Sequence, residues 1–169
     1  MLYNNNMKIN FDVFIEIPKG SRNKYEFDKK NNLIRLDRVL YSPMSYPTDY
    51  GFIPKTLSKD GDPLDVLVFL TEPTIPGCLI RVKPIGIFFM TDENGEDEKI
   101  ISVPISDPNY NIINDIDEIS FHAKKEIEHF FLVYKDLENK KVIIGDWKNK
   151  DIAISIYKES YLRYKNHKD

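Results

Sequence analysis

The stretch Ser58-Lys59-Asp60-Gly61-Asp62-Pro63-Leu64-Asp65-Val66-Leu67-Val68-Phe69-Leu70 constrains this chain more than any other. Three carboxylates, Asp60, Asp62 and Asp65, run directly into an apolar segment. Gly61 and Pro63 punctuate a turn, and Val66–Leu70 reads as a buried strand. The spacing predicts a tight acidic loop at the mouth of a core strand. Carboxylates a few ångströms apart repel by about 1–4 kcal/mol per pair even at fairly high effective dielectric. Cations among them remove that cost, and hard divalent ions such as Mg²⁺ prefer carboxylate and water oxygens. A solvated loop with Asp caps is the plainer reading for any one Asp. The triple, placed ahead of a core strand, favours the metal.

Elements with a β period surround this stretch. Val13–Ile17 alternates, with Val13, Ile15 and Ile17 on one face and Phe14 and Glu16 on the other, and Pro18-Lys19-Gly20 ends it. Lys24–Asp28 and Leu33–Leu40 pair through a turn at 29–32, with Ile34, Leu36, Arg38 and Leu40 sharing a face. Arg38 thus follows an apolar side. A snorkelling end-of-strand Arg and an Arg lining an anion-receiving cavity both fit. Residues 41–57, rich in Tyr and Pro, read as a long ordered loop. Tyr46 and Tyr50 within it need hydroxyl partners if buried.

Leu79–Thr91 reads as a long strand bent at Pro84 and Gly86. Residues 92–97 then turn with Asn94-Gly95 at the tip, and Glu98–Ile105 returns. A turn closed around Glu93–Glu96 sets Asp92 opposite Asp97, a like-charge pair that a bound cation would relieve. Asp115–Glu118 fits a capping box opening a helix. Its inward positions are Ile119, Ala123, Ile127, Phe130, Phe131, Tyr134 and Leu137. Lys140–Ile144 is a further strand. Asn149 caps a last helix from Lys150 to about Lys165, with Ile152, Ile156 and Tyr164 inward. Without repeat or linker, residues 1–169 read as a single domain, with residues 1–8 expected to fray. The fold class is mainly β with flanking α: a small antiparallel barrel with two helices in the C-terminal half.

Composition narrows the function. A net charge of −3 argues against a general nucleic-acid binder. The one cysteine, Cys78, permits no intrachain disulfide and suits a reducing compartment. Residues 1–6 have neither a basic nor an apolar signal region, and the longest apolar runs are too short to span a bilayer. A cytoplasmic protein without a membrane partner is expected.

Two acidic clusters therefore stand out, Asp60/Asp62/Asp65 and Asp92/Asp97, with Glu16 and Glu26 able to join from the first strands. Lys24, Arg38, Lys99, Lys135, Tyr46, Tyr50 and Tyr134 supply basic and phenolic groups. Carboxylates that hold several Mg²⁺, ringed by such groups, suit a small, highly charged phosphate. No P-loop, Ser/His/Asp arrangement or zinc spacing competes. His122, His129 and His167 lie on or beyond helices and read as surface or contact residues.

Asp60-Gly61-Asp62-Pro63-Leu64-Asp65-Val66 resembles the D-x-D-P-x-D signature of soluble family I inorganic pyrophosphatases. The resemblance extends through Ile15-Glu16-Ile17-Pro18, Lys24-Tyr25-Glu26, Asp37-Arg38 and Tyr46-Pro47-x-x-Tyr50-Gly51. It continues in Met90-Thr91-Asp92-Glu93-x-Gly95-Glu96-Asp97-x-Lys99 and His129-Phe130-Phe131-x-x-Tyr134-Lys135-Asp136-Leu137-Glu138. It implies an OB-like five-stranded antiparallel barrel and Mg²⁺-dependent hydrolysis of pyrophosphate to two orthophosphates. The implied chemistry is in-line attack by a metal-activated water, with no covalent intermediate.

By the same resemblance, Asp60, Asp65 and Asp97 hold a tight metal pair, and Asp92 with Asp97 holds a metal arriving with substrate. Glu16 serves another site, Glu26 acts through water, and Asp62 is the general base. Arg38, Tyr134 and Lys135 bind one phosphate. Lys24, Tyr50 and Lys99 bind the other, with Tyr46 close by. Mn²⁺ is a possible substitute for Mg²⁺, and a homohexamer of the prokaryotic type is implied. Residues 1–10, Asp49 and Phe52 depart from some bacterial members. Two other readings stay open: an OB-type nucleic-acid module, disfavoured by acidic clusters in the same groove, and a metal-dependent hydrolase of another phosphoanhydride.

Overall fold

Five strands pair into a closed ring in the computed structural model, which describes residues 9–167. The expected fraying of residues 1–8 lies outside the described residues. β1 (Phe11–Ile17) pairs with β4 (Asp49–Phe52), and β4 with β5 (Asp65–Val68). β5 pairs with β7 (Gly95–Pro104), β7 with β6 (Leu79–Asp92), and β6 returns to β1. β8 (Ile143–Asn149) adds to β6 outside the ring. Four of the five ring ladders are antiparallel; the β5–β7 ladder is parallel, with Asp65 beside Lys99. β2 (Asn23–Asp28) and β3 (Leu33–Val39) form a separate two-stranded sheet.

Alternation carries the core. On β1, Phe11, Val13, Ile15 and Ile17 are buried and the residues between them are not. Val13, Ile15, Val66, Val68, Val82, Ile87 and Ile100 form one apolar cluster with Ala153 of α2 (Lys150–Asn166). A second cluster joins Ile17, Leu67, Phe88 and Ile101 to Ile127, Phe130 and Phe131 of α1 (Phe121–Val133). Each such side chain contributes about 1.5–3 kcal/mol relative to exposure.

Several expectations are corrected. Asp49–Phe52, read as loop, is a strand, and Gly51 is what allows it: a Cβ there would lie 1.9 Å from the Phe14 carbonyl oxygen. The capping box at Asp115 closes a single 3₁₀ turn, Ile116–Glu118, because Ile119 is extended. The helix starts afresh at Phe121, with the Ser120 hydroxyl accepting from the Ala123 N–H. It ends at Val133, so Leu137 falls in a second 3₁₀ turn and is exposed. β8 spans 143–149 and not 140–144. On α2, Ala153 and Ser160 face inward, whereas Ile152 is exposed.

The first hairpin carries a bulge between Lys24 and Tyr25, which shifts the register and leaves Leu36 half-exposed. The β6–β7 turn closes tighter than expected, with Asp92 opposite Gly95 and Asp97 opposite Met90. Asp92 and Asp97 are therefore diagonal neighbours on one face and not a direct cross-strand pair. Among the described residues, no helix is long and apolar enough to cross a membrane.

Candidate active site

A cavity of about 420 Å³ opens at one end of the barrel. Thirteen of the fourteen site residues named from the sequence line it: Glu16, Lys24, Glu26, Arg38, Tyr50, Asp60, Asp62, Asp65, Asp92, Asp97, Lys99, Tyr134 and Lys135. The exception, Tyr46, is buried in the core, its ring 4.8 Å from Phe130 and 5.5 Å from Tyr50. It backs the wall that Tyr50 presents and does not reach the cavity. Four further ionic residues of the lining, Lys29, Glu93, Glu96 and Lys140, escaped the sequence reading. Glu93 had a signal, its place beside Asp92 in the turn. Lys140 had none, because it arrives only through the turn after α1. The three histidines are not part of the lining.

Lys99 sits at the floor. It is 2 % exposed, with Nζ donating to Asp65 Oδ2 at 2.9 Å, to Asp97 Oδ1 at 3.0 Å and to the Tyr50 hydroxyl at 3.1 Å. The Tyr50 hydroxyl in turn donates to Asp65 Oδ2 at 2.7 Å. The strands dictate this meeting: Lys99 is the register partner of Asp65 across the parallel ladder, and Asp97 precedes it by one period. Burial works against the ammonium, yet Asp65, Tyr50 and Asp97 hold its pKa well above the ordinary lysine range.

The acidic loop forms one rim. Its base is pinned by Ile53 N–H to the Leu64 carbonyl at 3.0 Å. Buried Thr56 adds to this, its hydroxyl donating to Ile53 O at 2.6 Å and accepting Leu64 N–H at 3.0 Å. Its tip turns through Ser58 N–H to Asp62 O at 2.7 Å and Gly61 N–H to Ser58 O at 3.1 Å, with Gly61 at φ +91°. Asp62 N–H donates to Asp60 Oδ1 at 3.0 Å. Partial burial, reinforced by the neighbouring Asp60 charge, raises the Asp62 pKa. Lys59 reaches across to Glu96 of the opposite hairpin at 3.6 Å.

The facing rim is cationic. Lys135, just past α1, lies 3.2 Å from Asp92 Oδ2 and 3.2 Å from Glu93 Oε1. Burial raises the Asp92 carboxyl, but the Asn94 N–H at 2.8 Å and Lys135 outweigh it and hold it below its ordinary range. From the β2–β3 hairpin, Lys24 and Arg38 stand opposite one another in register and both line the cavity. Lys24 contacts Glu26 and Arg38 contacts Asp37. Arg38 Nε also lies 3.1 Å from Glu138 Oε1, without the alignment of a hydrogen bond. Glu16 Oε1 accepts the Phe27 N–H at 2.8 Å and so ties the hairpin to the barrel. Burial pushes its carboxyl up to about 7, with the Phe27 N–H opposing and the Asp65 charge adding.

The lining holds nine carboxylates (Glu16, Glu26, Asp60, Asp62, Asp65, Asp92, Glu93, Glu96, Asp97) against six cations (Lys24, Lys29, Arg38, Lys99, Lys135, Lys140). All the candidate ligand atoms are hard carboxylate oxygens, the donors that Mg²⁺ and Mn²⁺ prefer. Among the described residues, no three such side chains converge into a ready-made cage, the Asp60, Asp65 and Asp97 trio included.

A model of the inorganic pyrophosphatase family matches residues 13–165. The inorganic pyrophosphatase of Streptomyces coelicolor is 60% identical over 131 residues, 78% of this chain and 80% of that protein. That of Halalkalibacterium halodurans is 49% identical over 154 residues, 91% of this chain and 94% of its own length. The crystal structure of the Thermus thermophilus inorganic pyrophosphatase superposes with a TM-score of 0.91 at 40% identity, covering 98% of this chain and 97% of that one.

Proposed function

This chain belongs to the inorganic pyrophosphatase family and is an inorganic diphosphatase, and we propose that it hydrolyses pyrophosphate by in-line attack of an activated water, with Mg²⁺ as cofactor and without a covalent intermediate. One observation carries the reading: a single cavity gathers nine carboxylates with lysines, an arginine and tyrosines. The carboxylates recruit cations, and the lysines, arginine and tyrosines interleaved with them receive phosphate oxygens.

Asp60, Asp65, Asp92 and Asp97 would hold the divalent ions, with Glu16 and Glu26 at the periphery. When bound, such ions neutralise phosphate charge and lower the pKa of coordinated water. Asp62 accepts the proton of the attacking water. Its raised pKa and its place on the loop tip support a base. Arg38, Tyr134 and Lys135 bind one phosphate, and Lys24, Tyr50 and Lys99 the other. Lys99 is held fully protonated before substrate arrives, so its charge is already positioned for an oxyanion. Tyr46 acts only by supporting Tyr50. Mn²⁺ shares the hard-oxygen preference and is expected to substitute. The family further suggests one domain per chain, assembled as a cytoplasmic homohexamer that binds neither nucleic acid nor membrane.

A substrate panel tests the reading. Pyrophosphate, tripolyphosphate and ATP are offered with Mg²⁺, with Mn²⁺ and with a chelator. Phosphate release from pyrophosphate, abolished by the chelator and well above that from ATP, is expected. Preference for ATP would favour a broader phosphoanhydride hydrolase.

A further inference from the structure

The acidic loop is held from behind by α2, at a point remote from the cavity. Both backbone polar groups of Leu57 are bound to that helix. Its N–H donates to the Ser160 carbonyl at 3.0 Å, and its carbonyl accepts from Arg163 Nη1 at 2.6 Å. Ser160 and Arg163 lie three residues apart on one face of α2, the face that also buries Ala153. The next residue, Ser58, opens the turn that ends in Asp62. Among the described residues, Arg163 forms no ion pair with a carboxylate. Its charge is directed at a backbone carbonyl 106 positions away in sequence.

We propose that Arg163 is a positioning residue for the acidic loop, its guanidinium fixing the Leu57 carbonyl and so the geometry in which Asp60, Asp62 and Asp65 are presented. The inference rests on the reading of that loop as cation-holding. The Ile53–Thr56–Leu64 bonds pin the base of the loop but do not reach residues 57–62, so the ascending arm has α2 as its anchor. A planar guanidinium reaches the carbonyl with a fixed fork, which a lysine ammonium reproduces only in part. Small displacements of groups around a reacting centre are costly, about 10²-fold per ångström in unfavourable cases. A residue outside the cavity can thereby govern it.

The test uses the full-length protein and its Arg163→Ala and Arg163→Lys variants. Melting temperature, Mg²⁺ affinity by calorimetry without substrate, and amide exchange at Ser58 and Gly61 are measured on each. Arg163→Ala is expected to melt close to the wild type and to bind Mg²⁺ about tenfold more weakly, the scale of one lost hydrogen bond to a charged group. The Ser58 and Gly61 amides should exchange faster in it, and Arg163→Lys should recover part of both effects. Unchanged affinity and unchanged exchange in Arg163→Ala would overturn the proposal. So would changes that appear only alongside a uniform loss of protection across the barrel. Wild-type protein that binds no Mg²⁺ would sink the cation reading of the loop, and the amide exchange alone would then decide the role of Arg163.

Discussion

Lys99 carries a charge into a place where a lone ammonium would be untenable, and four oxygens within 3.1 Å make it tenable. The same contacts keep Asp65 and Asp97 from facing one another uncompensated. Replacing Lys99 with Met leaves two half-buried carboxylates uncompensated at the floor, and breaking a fully buried pair, the upper bound here, costs about 3–5 kcal/mol. Metal-free Lys99→Met is therefore expected to melt well below the wild type. Mg²⁺ should raise its melting temperature more than it raises that of the wild type, because a cation would take up the abandoned carboxylates. Equal Mg²⁺-induced shifts in the two proteins would argue against a cation between Asp65 and Asp97. At this scale the sequence was informative about residue types. Three Asp in a Gly/Pro turn and a Lys one period beyond an Asp are legible as chemistry. It left Tyr46 between the core and the phosphate site, because only the packing of Phe130 and Tyr50 around it shows that the ring is core.

At the scale of elements, β4 is the strand most dependent on one residue. Gly51 lies so close to β1 that any Cβ would overlap the Phe14 carbonyl. Gly51→Ala must push β1 and β4 apart, at a cost of about 1–3 kcal/mol, and it shifts Tyr50 with them. Reduced stability in urea together with a raised KM for pyrophosphate is expected, whereas a variant as stable as wild type would contradict the close approach. A polar tie joins the loop after β5 to the loop after β7. Asp107 accepts the Thr71 N–H at 2.7 Å and the Thr71 hydroxyl at 2.9 Å. Burial opposes the ionised form, but these donors and the Asn109 N–H hold the carboxyl below its ordinary 3.8. A depressed pKa stabilises above the unfolded value and ceases to do so as pH falls through the folded one. Acid unfolding should therefore begin earlier on the pH axis in Asp107→Asn, whose stability should also fall less steeply below about pH 4. These ties explain why elements were only partly legible. Regular alternation announced β1 and the long β6–β7 hairpin, whereas β4 is four residues set among Tyr and Pro and is created by pairing on both sides. The capping box at Asp115 was read correctly as a cap, but the extended backbone at Ile119 ends its turn after three residues.

At the scale of the whole molecule, barrel closure is what turns scattered motifs into a site. Residues from Glu16 to Lys140 meet in one cavity because β1 pairs with both β4 and β6, and because the turn after α1 delivers Tyr134 and Lys135 to the rim opposite the acidic loop. No local pattern in the sequence encodes that convergence. The parallel β5–β7 ladder, which sets Lys99 beside Asp65, was equally out of reach of a local reading. In the mechanism we propose, this cavity hydrolyses pyrophosphate through a water deprotonated at Asp62 and dependent on a divalent cation. Its most direct test is the steady-state rate of phosphate release at saturating Mg²⁺ from wild type and Asp62→Asn, each confirmed to melt at the same temperature. A rate lower by about 10²–10⁴ is expected in the variant, the usual worth of a general base, with no release from either protein in excess chelator. An Asp62→Asn protein that releases phosphate at the wild-type rate, or a wild type that needs no divalent cation, would contradict it.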